Sequence, residues 1–408
     1  MSAVDKFFIL NNSNPSYIIT NVDCDIAITE NLLQKYIYEI CEKNPNLLEK
    51  LSFENNEIIS KKQGVFNIGD HYELRNMESD VFSSSIDELF DLSSGVKNQM
   101  DWFFLCCVDK TKNVSRIYFK INHSCCDGYT LIKILRSSTV LDKNQEENEI
   151  IEPSCKKAGI CLYDKIYYHT IGLLVLFFVN LKIVFLILFN YCKYTFWGDN
   201  DRGREKSLRY FECRPLPLDM IKYISKLKGV TVNDFLFSIM VRADYLYYNK
   251  RRGLVTMMPF SLKNIGAGED GLNNFVPITN IIDNNYANIE LLHKSHSVFS
   301  AYKYSSYIYV FNCFITFISK FFSCDIFSLY MKGPPFVDYI FTNIIGPPIE
   351  NSHIKDYKFL ISPLNGEFTF NIISSRENIN IVCSLTDESI DTVRFEQCVY
   401  DAYQELIQ

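Results

Sequence analysis

The chain has 408 residues, which is enough for two or three packed domains. Hydrophobic residues make up 48% and charged residues 22%, a composition that excludes a disordered tail. The formal net charge of −7 argues against nucleic acid as a partner, because affinity for a phosphate backbone comes from clustered Lys and Arg. A globular enzyme or binding protein is therefore expected.

The fourteen cysteines form no CxxC pair and no Cys/His set at zinc-ligand spacing. We expect no metal site, and we interpret the cysteines as reduced, small apolar residues of a cytosolic protein. Near the N-terminus, Asp5 and Lys6 precede only four apolar residues, so no signal peptide is expected. GxGxxG and P-loop patterns are also missing, which argues against a nucleotide or nicotinamide cofactor.

Residues 1–150 alternate short apolar stretches with helical patterns, which predicts a mixed α/β domain. Strands are expected near residues 17–19 and 102–108, with a helix over 31–43. Residues 114–122 alternate apolar with polar side chains and predict a strand, and residues 129–136 have helical spacing. A tight turn must therefore connect this last strand to the helix.

Residues 151–206 are predicted to be a linker, because the charged run at 141–152 that leads into them lacks apolar periodicity. Within the linker, residues 170–197 contain an apolar run that reaches the ~18 residues of a transmembrane candidate. Lys182 near its middle disfavours a simple crossing, and basic residues flank both ends. We predict that this segment contacts a membrane; a buried core helix is the alternative.

Residues 207–408 predict a second globular part. After Gly229, the TVND sequence at 231–234 predicts a helix that begins with Thr231 as cap, carries Asp234 in its first turn and runs to about Tyr248. The remaining predicted elements are helices at 219–228, 307–330 and 391–406, and strands at 354–361, 367–374 and 379–385.

His123 directly follows the predicted strand, and Asp127 and Gly128 stand four and five residues after it. A side chain at a strand end is exposed on a rigid base, where functional groups concentrate. An imidazole can accept a proton from a hydroxyl near neutral pH, which fits a general base. Asp127 would hold the turn, and Gly128 would allow a close backbone approach. The alternative is a turn histidine beside a capping Asp.

The other five histidines do not form such a pattern. His293 and His296 lie three residues apart without an acidic or Cys partner close by in sequence, so we predict that they lie on a solvated helix face. His71, His169 and His353 have no neighbours of catalytic type. Because the serine runs also lack a nucleophile-elbow pattern, a hydrolase triad is not supported.

The pattern His123-x-x-x-Asp127-Gly128 resembles the HxxxDG motif of the coenzyme-A-dependent acyltransferase superfamily. Further segments are similar to motifs of the wax ester synthase/diacylglycerol acyltransferase family and occur in family order. They are the N-terminal opening at 4–8, the Asn-Asp motif at 231–234, the Pro-Val-Ser-Leu-Arg segment at 259–263 and the Ser-Asn-Val-Pro-Gly-Pro turn at 342–347. The sequence departs from the family at Asn122, where the first of two paired histidines is usual, at Lys263, where Arg is usual, and in its longer apolar segment.

The resemblance implies a mixed α/β fold of two chloramphenicol-acetyltransferase-like domains, 1–150 and 207–408, with the active site in a channel between them. His123 would deprotonate an alcohol that attacks acyl-CoA, while Asp127 and Gly128 would shape the turn. Acyl-CoA would be a co-substrate, with no bound cofactor or metal, and the acceptor would be a fatty alcohol or diacylglycerol. The resemblance also implies channel or substrate residues, namely Asn122, Asn233, Asp234, Lys263 and Asn343.

Two other functions remain open: a same-superfamily acyltransferase for a polar alcohol or amine, and a catalytically degenerate, membrane-bound interaction module.

A shared active site would require both domains to lie on one side of a membrane. The 28 residues of segment 170–197 would give two hairpin arms of about 21 Å each, shorter than a ~30 Å hydrocarbon core. We therefore expect a monotopic or re-entrant segment. The many cysteines and the Asn122-His123-Ser124 sequon favour a cytosolic face.

Overall fold

A computed structural model describes residues 16–54, 57–62, 67–77, 101–143, 170, 174, 209–261, 275–304, 307–308, 310–313, 337–346, 349, 352–361 and 368–408. The motif at 4–8, Lys263 and nearly all of segment 170–197 lie outside the described residues. The predictions made for them stay predictions.

The described residues form a mixed α/β structure, as the sequence predicts. Its helices are α1 (Glu30–Lys43), α2 (Gly128–Arg136), α3 (Leu218–Leu227), α4 (Val232–Tyr248), α5 (Asn288–Tyr304) and α6 (Thr392–Ile407). Its strands are β1 (Tyr17–Cys24), β2 (Glu49–Glu54), β3 (Glu57–Lys62), β4 (Tyr72–Asn76), β5 (Trp102–Asp109), β6 (Val114–Asn122), β7 (Arg209–Glu212), β8 (Leu216–Pro217), β9 (Gly253–Ser261), β10 (Phe275–Asp283), β11 (Tyr339–Ile345), β12 (Ile354–Ile361), β13 (Phe368–Ser375) and β14 (Asn378–Leu385).

The first sheet has the strand order β12-β1-β6-β5-β4 and carries the turn of interest at the end of β6. Every residue of β5 is buried, which explains its nearly continuous apolar sequence. Helices α1 and α2 belong to the core on one face of this sheet, and the Tyr36 hydroxyl of α1 donates a 3.0 Å hydrogen bond to the Leu135 carbonyl of α2. The first sheet therefore gives β6 and α2 a rigid base.

The second sheet has the order β10-β9-β11-β13-β14-β7, with β8 paired to β14. Strand β11 runs parallel to β9 and β13, and the other pairs are antiparallel. Its core is rich in aromatic rings: Phe237 of α4 packs edge-on against Phe341 of β11, and Phe395 of α6 packs against Phe368. Burying rings of this size contributes much of a core's stability.

Strand β12 connects the two sheets. It pairs antiparallel with β1 at the edge of the first sheet, although it comes from the second half of the chain. The Ile361 amide of β12 donates to Asn371 Oδ1 of β13 (3.1 Å), and Asn380 Nδ2 of β14 donates to the Tyr357 carbonyl (3.0 Å). The first sheet thus takes one strand from beyond residues 1–150, while the division of the chain into domains stays a prediction.

The elements predicted around the motifs are confirmed, including the helix that begins after Thr231 and the strands β6, β12, β13 and β14. Strands β2, β3, β4, β7, β8, β9, β10 and β11 were not predicted, and helix α5 was anticipated only as the helix face assigned to His293 and His296. Over the ranges that the structure describes, no helix is both long enough and apolar enough to cross a membrane. The same ranges bring no three potential metal-ligating side chains together.

Candidate active site

Asn122 shapes the turn that follows β6. Its amide donates to the Asp101 carbonyl (2.6 Å), its Oδ1 accepts from the Ser124 amide (3.0 Å), and its carbonyl accepts from the Cys125 amide (2.9 Å). The next residue, His123, donates its own amide to the Ser16 carbonyl (2.8 Å). An Asn side chain that bonds the backbone two residues ahead is a common turn device. The side chain of Asn122 therefore helps to hold the turn, through the hydrogen bond that its Oδ1 accepts from Ser124.

Asp127 is the N-cap of α2. Its Oδ1 accepts a 2.7 Å hydrogen bond from the Thr130 amide, and its carbonyl accepts from the Leu131 amide. The residue is 7% exposed. Such a cap satisfies an amide that the helix itself cannot pair. Asp127 thus holds the turn between His123 and α2.

His123 lies where the first sheet meets the second. It is 5% exposed, and its ring centroid lies 5.9 Å from the ring centroid of Phe275, the first residue of β10. Phe275 pairs in register with Ser261, the last residue of β9. The end of the β9–β10 pair is therefore next to the imidazole. No sequence motif marked Phe275.

Gly128, the first residue of α2, provides a second contact with the second sheet. A Cβ built on this glycine would lie 2.4 Å from Cδ1 of Ile344 in β11, so the close approach requires glycine unless Ile344 moves. Ile344 follows Asn343, whose Nδ2 donates a 3.0 Å hydrogen bond to Oδ1 of Asn233 in α4. The structure thus connects Asn343 and Asn233 to the turn through neighbouring residues.

The expectation that Asn343 lies in a turn is wrong. Asn343 is inside β11, opposite Ile372 of β13, because β11 continues its parallel pairing to Ile345. Gly346 follows the strand, and a Cβ at this position would lie 1.8 Å from the Ser374 carbonyl oxygen. The glycine therefore marks a close contact between backbones.

Asp234 and His296 form a pair that the sequence interpretation missed. Asp234 and Thr231 form a capping box at the start of α4, and Asp234 Oδ2 also lies 2.7 Å from His296 Nδ1. His293 is exposed, as predicted, and the His296 side chain is 40% exposed; the sequence interpretation missed the acidic partner of His296. Its acidic partner is 62 residues away in sequence and is brought close by the packing of α5 against α4.

Burial controls the ionisation of groups near the turn. It raises the pKa of the Cys125 and Cys126 thiols, so both stay protonated near neutral pH and are poor nucleophiles. Lys120 of β6 places its amine 4.1 Å from the centroid of the Tyr17 ring, and burial lowers the pKa of this lysine to about 8. Among residues 122–127, an imidazole is the side chain best suited to exchange a proton near neutral pH.

Comparisons with known proteins support the fold. No protein-family model matches the sequence, and no curated protein matches it. A wax ester synthase/diacylglycerol acyltransferase from Marinobacter aquaeolei is 12% identical with a TM-score of 0.59, over 99% of this chain and 97% of that one. A trichothecene 15-O-acetyltransferase from Fusarium sporotrichioides is 12% identical with a TM-score of 0.66, over 99% and 93%.

A third solved structure is a variant of the starter condensation domain of rhizomide synthetase, in complex with C8-CoA and Leu-SNAC. It is 8% identical with a TM-score of 0.55, over 100% of this chain and 94% of that one. All three similarities extend over nearly the full length of both chains. The protein therefore has the mixed α/β, two-sheet fold shared by these acyltransferases and condensation domains.

Proposed function

We propose that the protein is an acyl-CoA-dependent O-acyltransferase in which His123 is the general base. The observation that carries the proposal is the position of His123: it is buried at the end of β6 and in ring contact with Phe275 of the second sheet. A base at the junction of two sheets can receive a donor and an acceptor from different sides. The HxxxDG pattern and the shared fold support the same reaction class.

In the proposed reaction, the His123 imidazole takes the proton from the acceptor hydroxyl, whose oxygen attacks the thioester carbonyl carbon. The resulting tetrahedral adduct expels the coenzyme A thiolate, and the imidazolium returns the proton to that sulfur. An ester and free coenzyme A are formed, and no acyl-enzyme is needed. Asp127 and Gly128 keep the turn in place, as the cap and the close contact with Ile344 indicate.

The acceptor that we propose is a fatty alcohol or diacylglycerol. The apolar segment at 170–197 and the family-like order of the motifs support it. A polar alcohol or amine is the second candidate, because a trichothecene 15-O-acetyltransferase shares this fold over 99% of the chain. Asn122, Asn233, Asp234, Asn343 and Lys263 are proposed to support the channel.

We also propose that segment 170–197 holds the protein at the cytosolic face of a membrane, the endoplasmic reticulum in a eukaryotic cell, without crossing it. Both sheets contribute to the surroundings of His123. A single crossing between residues 150 and 207 would separate them. Protease protection of tagged termini on sealed microsomes should therefore give the same result for both tags, and protection of only one would contradict this topology.

The test of the activity uses purified full-length protein and radiolabelled palmitoyl-CoA. Hexadecanol, diacylglycerol and a short polar alcohol are offered in parallel reactions, and free thiol is measured with the ester product. We expect ester from at least one apolar acceptor. Ester from the polar alcohol alone would replace the proposed acceptor class by the second candidate.

His123→Ala should lower kcat by about 10²- to 10⁴-fold, because it removes a positioned base. His293→Ala is the matched control, since His293 is an exposed histidine of α5. Equal activity of His123→Ala and the unmodified protein would refute the base assignment. Folded protein that forms no ester with any acceptor would favour the interaction module.

A further inference from the structure

We propose that His296 is a positioning residue of this active site. Through Asp234 it fixes the first turn of α4, and so holds Asn233 against Asn343 beside the HxxxDG turn. The kinetic test of this inference depends on the proposed acyl transfer. His296 belongs to none of the sequence motifs described above.

The Asp234 carboxylate is the centre of the arrangement. Its side chain is 1% exposed, and Oδ2 receives both the Thr231 amide (2.8 Å) and His296 Nδ1 (2.7 Å). The other oxygen, Oδ1, has no hydrogen-bond partner among the described residues. A buried carboxylate with a single accepting oxygen depends strongly on each donor, because losing one leaves charge without compensation. Removing His296 would leave Thr231 as the remaining donor to Oδ2.

The His296 side chain is 40% exposed, and both of its ring nitrogens have a polar partner. Its Nε2 lies 3.3 Å from Oγ of Ser300, one helical turn further along α5. With the Nδ1 proton donated to Asp234, a neutral ring accepts at Nε2 from the Ser300 hydroxyl, so one tautomer satisfies both contacts. The ring is therefore held from both sides, and it can define where Asp234 sits.

A continuous set of contacts leads from this pair to the site. Asp234 follows Asn233, whose Oδ1 accepts from Asn343 Nδ2 (3.0 Å). Asn343 precedes Ile344, whose Cδ1 would meet a Cβ on Gly128. A shift in the first turn of α4 would therefore be transmitted to the start of α2.

A second hydrogen bond joins the same two helices. Ser238 Oγ of α4 lies 2.8 Å from Ser295 Oγ of α5. Loss of the His296 contact should therefore loosen the first turn of α4 without detaching α5. Because the Ser238–Ser295 hydrogen bond still joins α4 to α5, a His296 variant should stay folded and its kinetics can be measured.

The first experiment compares three full-length variants. His296→Leu removes the donor, His296→Asn keeps a donor at the δ position, and His293→Leu is the matched control on the same helix. We expect His296→Leu to lower kcat about tenfold while KM for palmitoyl-CoA stays within about twofold. His296→Asn should recover most of the rate, and His293→Leu should not change it. Equal rates for His296→Leu and the unmodified protein would overturn the proposal.

A double-mutant cycle separates positioning from general stability. If His296 acts through the Asn233–Asn343 contact, the tenfold effect of His296→Leu should shrink to about twofold or less in an Asn343→Ala background. Fully additive effects would mean that His296 acts elsewhere, and would overturn the proposal.

Hydrogen exchange provides a readout that does not need activity. The first-turn amides of α4, including that of Asp234, should exchange at least about fivefold faster in His296→Leu than in His296→Asn. An inactive unmodified protein would refute the proposed function while this measurement still tests the contact. Unchanged exchange in His296→Leu would refute the positioning role even if the protein is an active acyltransferase.

Discussion

Replacing Gly346 by Ala tests how closely β11 and β13 must approach at the end of the strand pair. The new Cβ would lie 1.8 Å from the Ser374 carbonyl oxygen and 3.0 Å from its carbonyl carbon. Real Cβ contacts essentially never fall below 3.0 Å, so the two backbones must separate by more than about 1 Å. A backbone carbonyl cannot rotate away as a side chain can.

Gly128→Ala is the matched comparison, since its Cβ would come closer than 3.0 Å only to Cδ1 of Ile344, the end of a flexible side chain. Moving Ile344 off its rotamer costs about 0.5–1.5 kcal/mol. When side chains can move to relieve overpacking, the cost is usually about 1–3 kcal/mol. At Gly346 the clash is with a backbone atom, so we expect a cost of about 3 kcal/mol or more. For a chain of 408 residues, with an unfolding entropy of about 2.1 cal/mol/K per residue, that corresponds to a Tm lowered by roughly 3–4 °C.

The assay is urea unfolding followed by far-UV circular dichroism, with thermal unfolding as a second measure. Gly346→Ala should be the less stable variant in both, or should fail to give soluble protein where Gly128→Ala succeeds. A free energy of unfolding for Gly346→Ala within about 1 kcal/mol of the unmodified protein would refute the reasoning. So would a larger loss for Gly128→Ala.

Three further predictions concern other described contacts. Asp127→Ala should lower the free energy of unfolding by about 1 kcal/mol, because it removes the side-chain cap of α2. Asp127→Asn should keep the cap and stay closer to the unmodified protein, and chemical denaturation measures both variants. Burial lowers the pKa of Lys120 from 10.5 to about 8, so the unfolded chain binds the extra proton between these values and the contribution of Lys120 to stability should rise with pH across that window. In denaturant titrations, the free energy of unfolding of the unmodified protein minus that of Lys120→Met should therefore increase from pH 8 to pH 10.5, because the opposing titration of buried thiols is common to both proteins. Asp244 is fully buried and bonded to Arg252, so Asp244→Ala should cost about 3 kcal/mol or more in urea, whereas the exposed Asp219→Ala should cost less than about 0.5 kcal/mol.

Local sequence signals predicted the elements that build the site. Period-2 alternation located β6, and Thr231 followed by Asp234 located the start of α4 together with its cap. Asp127 before a helical pattern likewise gave the start of α2. These signals succeed because each depends on residues within a few positions of one another.

The contacts across the chain could not be predicted from the sequence. His296 and Asp234 are far apart in sequence, and nothing local in either helix specifies the other. Phe275 opens an ordinary apolar strand, so its ring contact with His123 follows only from how the two sheets pack. The same holds for β12, whose period-2 pattern indicates a strand but not the sheet to which it is added.

The position of β12 also limits how the protein can move. Its ladder with β1 runs from Ile354 to Ile361, while its other contacts reach β13 and β14. A hinge-like opening that drew the two sheets apart would have to break this ladder or those contacts. Entry and release at His123 should therefore depend on local movements of loops and side chains. Compounds that bind there should leave the arrangement of the two sheets almost unchanged.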